Sequence, residues 1–130
     1  LAGFFGLTNL DPVIYYKFLP AMFATIAAFI LFHLIFYLTK QFYVGIFSVV
    51  FFGSLKSNIN IEGLWFFTPL TLAIPLIFLI LLLFFKAYDR KNNKLLILSI
   101  IILLILFLIH PISAILIYIL IFLFLLFWHP

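Results

Sequence analysis

Cysteine is absent from the 130-residue chain. That excludes disulfides and thiolate metal sites and leaves the redox compartment unread. Acidic residues are limited to Asp11, Glu62 and Asp89, so the chain lacks the series of buried carboxylates that proton pumps and cation channels use. It also has no Gly-rich phosphate loop, no pair of His at metal-ligand spacing on one helix and no Ser-His-Asp arrangement. The opening LAGFFGLTNLDP has neither the basic start nor the cleavage site of a secretory signal, so the first helix is expected to be retained. The chain opens on Leu1, its sole Met is Met22, and it stops at Pro130 directly after an apolar run. These features lead us to expect a central piece of a longer polytopic protein, forming a single transmembrane domain over 1–130.

What is present is apolar bulk. Hydrophobic residues make up 69% of the chain, 20 of them Phe, against 8% charged, and the mean hydropathy is +1.48. Those values lie outside the range of water-soluble domains and predict an integral membrane protein. Five spans are expected in an all-α, polytopic transmembrane helical bundle. PAMFATIAAFILFHLIFYLTK (20–40) is long enough for the roughly 30 Å hydrocarbon layer, with Pro20 suited to a first helical turn. FYVGIFSVVFFGSL (42–55) is shorter and carries Gly45, Ser48 and Gly53, which would admit a neighbouring helix closely. Residues 64–85 form a third span bent by Pro69 and Pro75. KSNINIEG (56–63) and KAYDRKNNK (86–94) read as polar loops. The run from Leu95 to Trp128 would make a single helix of about 50 Å, too long for one crossing. It is therefore expected to break at His110-Pro111 into spans 95–109 and 111–128. Pro111 opens a helix without losing a hydrogen bond, and His110 is placed to cap.

Of the seven basic residues, Lys40, Lys86, Arg90, Lys91 and Lys94 then fall on one side, and Lys17 and Lys56 on the other. The positive-inside rule sends position 41 and loop 86–94 to the cytoplasm, and 1–17, 56–63 and 110–111 outside. Trp65, Trp128, Tyr15, Tyr16, Tyr37 and Tyr88 fit aromatic belts.

Asp11, Glu62 and His110 thus share the external side. Two carboxylates and an imidazole there suit general-base chemistry or a divalent metal. Equally, Asp11 caps a helix through DPVIYYKF, Glu62 is a solvated loop residue and His110 a turn residue. Lys17 and Lys56 outside, and Lys86, Arg90, Lys91 and Lys94 inside, could offset a donor phosphate or hold anionic lipid headgroups. The positive-inside rule alone also accounts for the second group. His33, inside the first span, is either a functional group or a neutral imidazole bonded to a neighbouring helix. Partners expected are the bilayer and further transmembrane helices of the same or another chain, with no nucleic acid.

Three stretches carry a resemblance: GLTNLDPVIYYKFLPAMFATIAAFILFHLIFYLTK, GLWFFTPLTLAIPLIFLILLLFFKAYDRKNNK and LLILFLIHPISAI. In their order the chain resembles the multi-spanning glycosyltransferases of the GT-C superfamily, especially those related to oligosaccharyltransferase and protein mannosyltransferase subunits. The resemblance implies sugar transfer from a polyprenyl-phosphate donor on the extracytoplasmic face, with Glu62 and His110 bordering the cavity for the lipid-linked sugar. The family's acidic residue of the first external loop would precede Leu1. The alternatives from other classes are a transporter module bending at Pro69, Pro75 and Pro111, and a non-catalytic scaffold subunit.

Overall fold

The computed structural model describes residues 12–54 and 69–128, those at 12–17 and 128 by their main chain alone. Every regular element among the described residues is helical: α1 (Pro12–Thr39), α2 (Phe42–Ser54), α3 (Pro69–Arg90), α4 (Asn93–Ile109) and α5 (Pro111–Trp128). Two stretches are long and apolar enough to cross a bilayer, Phe18–Thr39 and Pro69–Arg90, each of 22 residues with mean hydropathies of 2.2 and 2.5. At about 1.5 Å per residue each measures about 33 Å. The 17 residues of α4 and 18 of α5 give about 26 and 27 Å, and the 13 of α2 about 20 Å.

The first helix begins earlier than expected. Pro12 takes the opening position that suits a missing N–H, and Pro20 lies inside α1. The residues between them, VIYYKFL, contain no second breaker, so the helix runs through Pro20 at the cost of one i→i−4 bond. A larger correction falls on KAYDRKNNK. The third span was expected to stop at Phe85, but α3 continues through Arg90. Only Lys91 and Asn92 separate it from α4, while residues 64–68 of that expected span lie outside the described residues. Lys, Ala and Arg are good helix formers, and their stems can cover apolar surface while the charges reach outward. The turn closes tightly. The Lys91 N–H donates to the Tyr88 carbonyl (3.3 Å) and the Asn92 N–H to the Ala87 carbonyl (3.0 Å), which together form a Schellman cap. The Asn92 side chain then accepts from the Lys94 N–H at 3.0 Å and caps α4. Lys91 occupies the left-handed region usual for Gly at this place, with φ 49°. Lys40 does the same between α1 and α2, with φ 57°.

Helix α3 is the centre. It packs on α1, α4 and α5, while α2 rests on α1. In the apolar stretch of α3, 39% of residues are buried, against 11% in that of α1. Ala73 and Ile80 of α3 meet Leu106 of α4 and Ala114 and Ile117 of α5 in the core. Many of the buried positions are small or hydroxylic: Ala27, Gly45, Thr71, Ala73, Ala87, Ser99, Ser113 and Ala114. Large apolar residues face outward instead, among them Leu108 at 84% exposure and Phe127 at 78%. The expectation of two closely packing glycines is met by one: a Cβ at Gly45 would lie 2.8 Å from the Phe32 ring, whereas Gly53 has open space.

Candidate functional site

The cation-rich end is assembled by a contact between α1 and α3. The Tyr37 hydroxyl donates to Asp89 Oδ2 at 2.6 Å, which pins the last turn of α1 beside the last turn of α3. Tyr37 also holds two ammonium groups over its ring, Lys40 Nζ at 4.1 Å and Lys86 Nζ at 5.6 Å. Both distances allow cation–π attraction. Phe124 near the end of α5 packs edge-on against Phe84, Phe85 and Tyr88, with centroids 5.8, 5.2 and 5.5 Å away. The outgoing end of α5 therefore lies against the same end of α3.

Lys40, Lys86, Arg90, Lys91 and Lys94 accordingly gather at one end of the helices, with Asp89 as the carboxylate among them. Arg90, Lys91 and Lys94 are exposed. Four of these five cations were singled out from sequence for phosphate or headgroup binding, and the structure brings those four together with Lys40. Electrostatics favours cations at the C-terminal ends of α1 and α3, where the helix dipoles are negative. Lys94 is the exception, because it occupies the opening turn of α4, where the dipole disfavours a cation.

His110 lies at the other end of α4. Its N–H donates to the Leu106 carbonyl at 2.7 Å and closes α4. Its own carbonyl accepts from the Ala114 N–H at 3.2 Å and opens α5. The imidazole Nδ1 accepts from the Ser113 N–H at 3.3 Å, so the ring is an N-cap in the place usually held by Ser, Asp or Asn. The chain reverses with no residue to spare between the two helices. The ring satisfies an N–H of the following helix.

Asp11, Lys56 and Glu62 lie outside the described residues, and the side chain of Lys17 is not among those described. Among the described residues no three His or acidic side chains gather in a way that could hold a metal ion. The His33 Nδ1–H donates to the Phe29 carbonyl of its own helix at 3.1 Å, where a bond to a neighbouring helix had been one expectation. Thr25, Thr39, Ser48, Ser54 and Ser99 likewise bond carbonyls three or four residues back in their own helices.

Sequence reasoning missed a cleft at the cationic end. It has a volume of about 670 Å³, and Lys91, Asn92 and Asn93 line it together with Phe84, Leu96 and Leu125. No sequence signal announces it, because α3, the turn, α4 and the returning α5 each supply part of the wall. Compared with protein-family models, with curated proteins and with solved structures, the chain matches none, so its function is read from its residues and their geometry.

Proposed function

We propose that this chain is a polytopic membrane module whose five helices cross the bilayer, with the cationic end in the cytoplasm holding phosphate-bearing lipids. The observation that carries the reading is the gathering of Lys40, Lys86, Arg90, Lys91 and Lys94 around Tyr37 and Asp89. Two further features support it. Small and hydroxylic residues fill many buried positions while Phe, Leu and Ile face outward, which is the packing helices adopt when the surrounding solvent is hydrocarbon. Both left-handed turn positions at this end carry Lys, where Gly or Asn would fit with less strain. A lysine in that conformation, where Gly or Asn would be less strained, points to a use for its charge. The shorter helices α4 and α5 cross by placing the His110 turn slightly below the membrane surface and by local thinning of the bilayer.

Glycosyl transfer from a polyprenyl-phosphate sugar, which the GT-C resemblance implies, is the catalytic form of the same lipid-phosphate chemistry. It would take place at the opposite end, with Asp11, Glu62 and His110.

Phosphate binding is tested by thermal unfolding of the full chain in neutral detergent. A ligand that binds only the folded state raises the midpoint. Added phosphatidic acid is expected to raise it, the rise shrinking as salt screens the charges, and added phosphatidylcholine to leave it in place. Equal responses to the two lipids would contradict the reading.

A further inference from the structure

We propose that the cleft where α3 ends, α4 begins and α5 returns holds one anionic phospholipid, its phosphate at Lys91 and Asn93 and an acyl chain along Leu96 and Leu125. This rests on the reading of the basic end as a lipid-phosphate surface and narrows it to one place.

Shape and polarity argue for a lipid. The volume of about 670 Å³ lies within the range of small-molecule sites. It is polar at the turn, where Lys91, Asn92 and Asn93 contribute, and apolar along Phe84, Leu96 and Leu125. The apolar wall continues into outward-facing surface on both helices, with Ile97 of α4 57% and Leu126 of α5 61% exposed. An acyl chain leaving the cleft therefore meets hydrocarbon, whereas a soluble phosphate compound would leave that wall bare.

Charge argues for an anion. Lys91 is held in the left-handed conformation at the cleft mouth. Lys94 stands in the opening turn of α4, and no acidic residue occupies that turn. A phosphate held at Lys91 and Asn93 lies beside that turn and is favoured by the positive end of the α4 dipole. Asp89 also lines the cleft. Its carboxylate accepts the Tyr37 hydroxyl, which spreads its charge toward α1 and lessens repulsion.

The test titrates the detergent-solubilised full chain with dioleoyl phosphatidic acid, dioleoyl phosphatidylcholine and glycerol 3-phosphate, with bound species resolved by native mass spectrometry. One phosphatidic acid is expected to bind about tenfold tighter than phosphatidylcholine, and glycerol 3-phosphate not to bind, since it brings the charge without the apolar contacts. Lys91→Asn keeps a residue that tolerates the left-handed conformation and is expected to weaken phosphatidic acid binding about fivefold, the worth of one surface cation. Leu125→Trp fills the cleft without altering charge and should weaken binding by a similar factor. Lys40→Gln, in the same basic cluster but outside the cleft, should weaken binding by only about twofold, less than Lys91→Asn. Equal losses in Lys40→Gln and Lys91→Asn, with Leu125→Trp neutral, would overturn the cleft while leaving the basic-end reading intact. No preference for phosphatidic acid overturns both. Glycerol 3-phosphate binding as tightly as the lipid would overturn the lipid as occupant. Unfolding midpoints of the variants, measured without lipid, separate lost binding from lost fold.

Discussion

Gly45→Ala is expected to destabilise the chain by about 1–3 kcal/mol, while Gly53→Ala leaves stability unchanged or raises it by up to about 1 kcal/mol. Both glycines lie in α2 and look alike in sequence. At Gly45 the added Cβ would stand 2.8 and 2.9 Å from two atoms of the Phe32 ring and 3.6 Å from the Phe32 carbonyl. The ring has little room to yield, because Phe36 stacks with it at 6.0 Å and Phe42 meets it edge-on at 5.6 Å. Relief must come from separating α1 and α2, which share this close approach beside the Lys40 turn. At Gly53 nothing lies within 4 Å, and the greater helix propensity of Ala acts alone. Unfolding in detergent, monitored by circular dichroism, reads the difference. Equal midpoints for the two variants would show that Gly45 is not the contact point of the two helices.

His110→Ala is expected to cost about 1 kcal/mol, within the 0.5–2 range of N-cap removals, and His110→Asn to recover most of it. Three hydrogen bonds converge on this residue, from its N–H to Leu106, from Ala114 to its carbonyl and from Ser113 to its ring. Alanine keeps the two main-chain bonds and loses the third, leaving the Ser113 N–H without its acceptor, whereas Asn restores an acceptor at the cap. The pair also separates two roles for the imidazole. If His110 acts only as a cap, His110→Asn retains whatever transfer activity the protein has. If the ring carries protons in catalysis, the same variant stays folded and loses activity.

Much of the helix plan is legible in the sequence, for a physical reason. The 34-residue uncharged run from Leu95 to Trp128 is too long for a single helical crossing, and Pro111 marks where it breaks, so the α4–α5 reversal at His110-Pro111 follows from length and proline together. The boundaries that differ from expectation lie where a charged stretch is helical. In KAYDRKNNK the helix-forming stretch continues to Arg90 because Tyr37 holds Asp89 and the basic stems lie along the surface. Lys91 gives no turn signal, since the left-handed position is normally marked by Gly or Asn. Pro20 misleads in the opposite direction, since Pro12 already supplies a helix start eight residues earlier. Of the candidate site, the basic residues could be grouped from topology arithmetic. The cleft could not, because its walls are brought together only by packing α5 against the end of α3, as Phe124 records against Phe84, Phe85 and Tyr88.

If the helices alternate across a bilayer as proposed, the cation-bearing turns share one face and the His110 turn lies on the other. The absence of native cysteine makes single-cysteine labelling the most direct measurement. In sealed membranes, Gln41→Cys and Asn92→Cys are predicted to react with a membrane-impermeant maleimide from the cytoplasmic side only, and Asn58→Cys from the opposite side only. Reaction of positions 58 and 92 from one and the same side would contradict it.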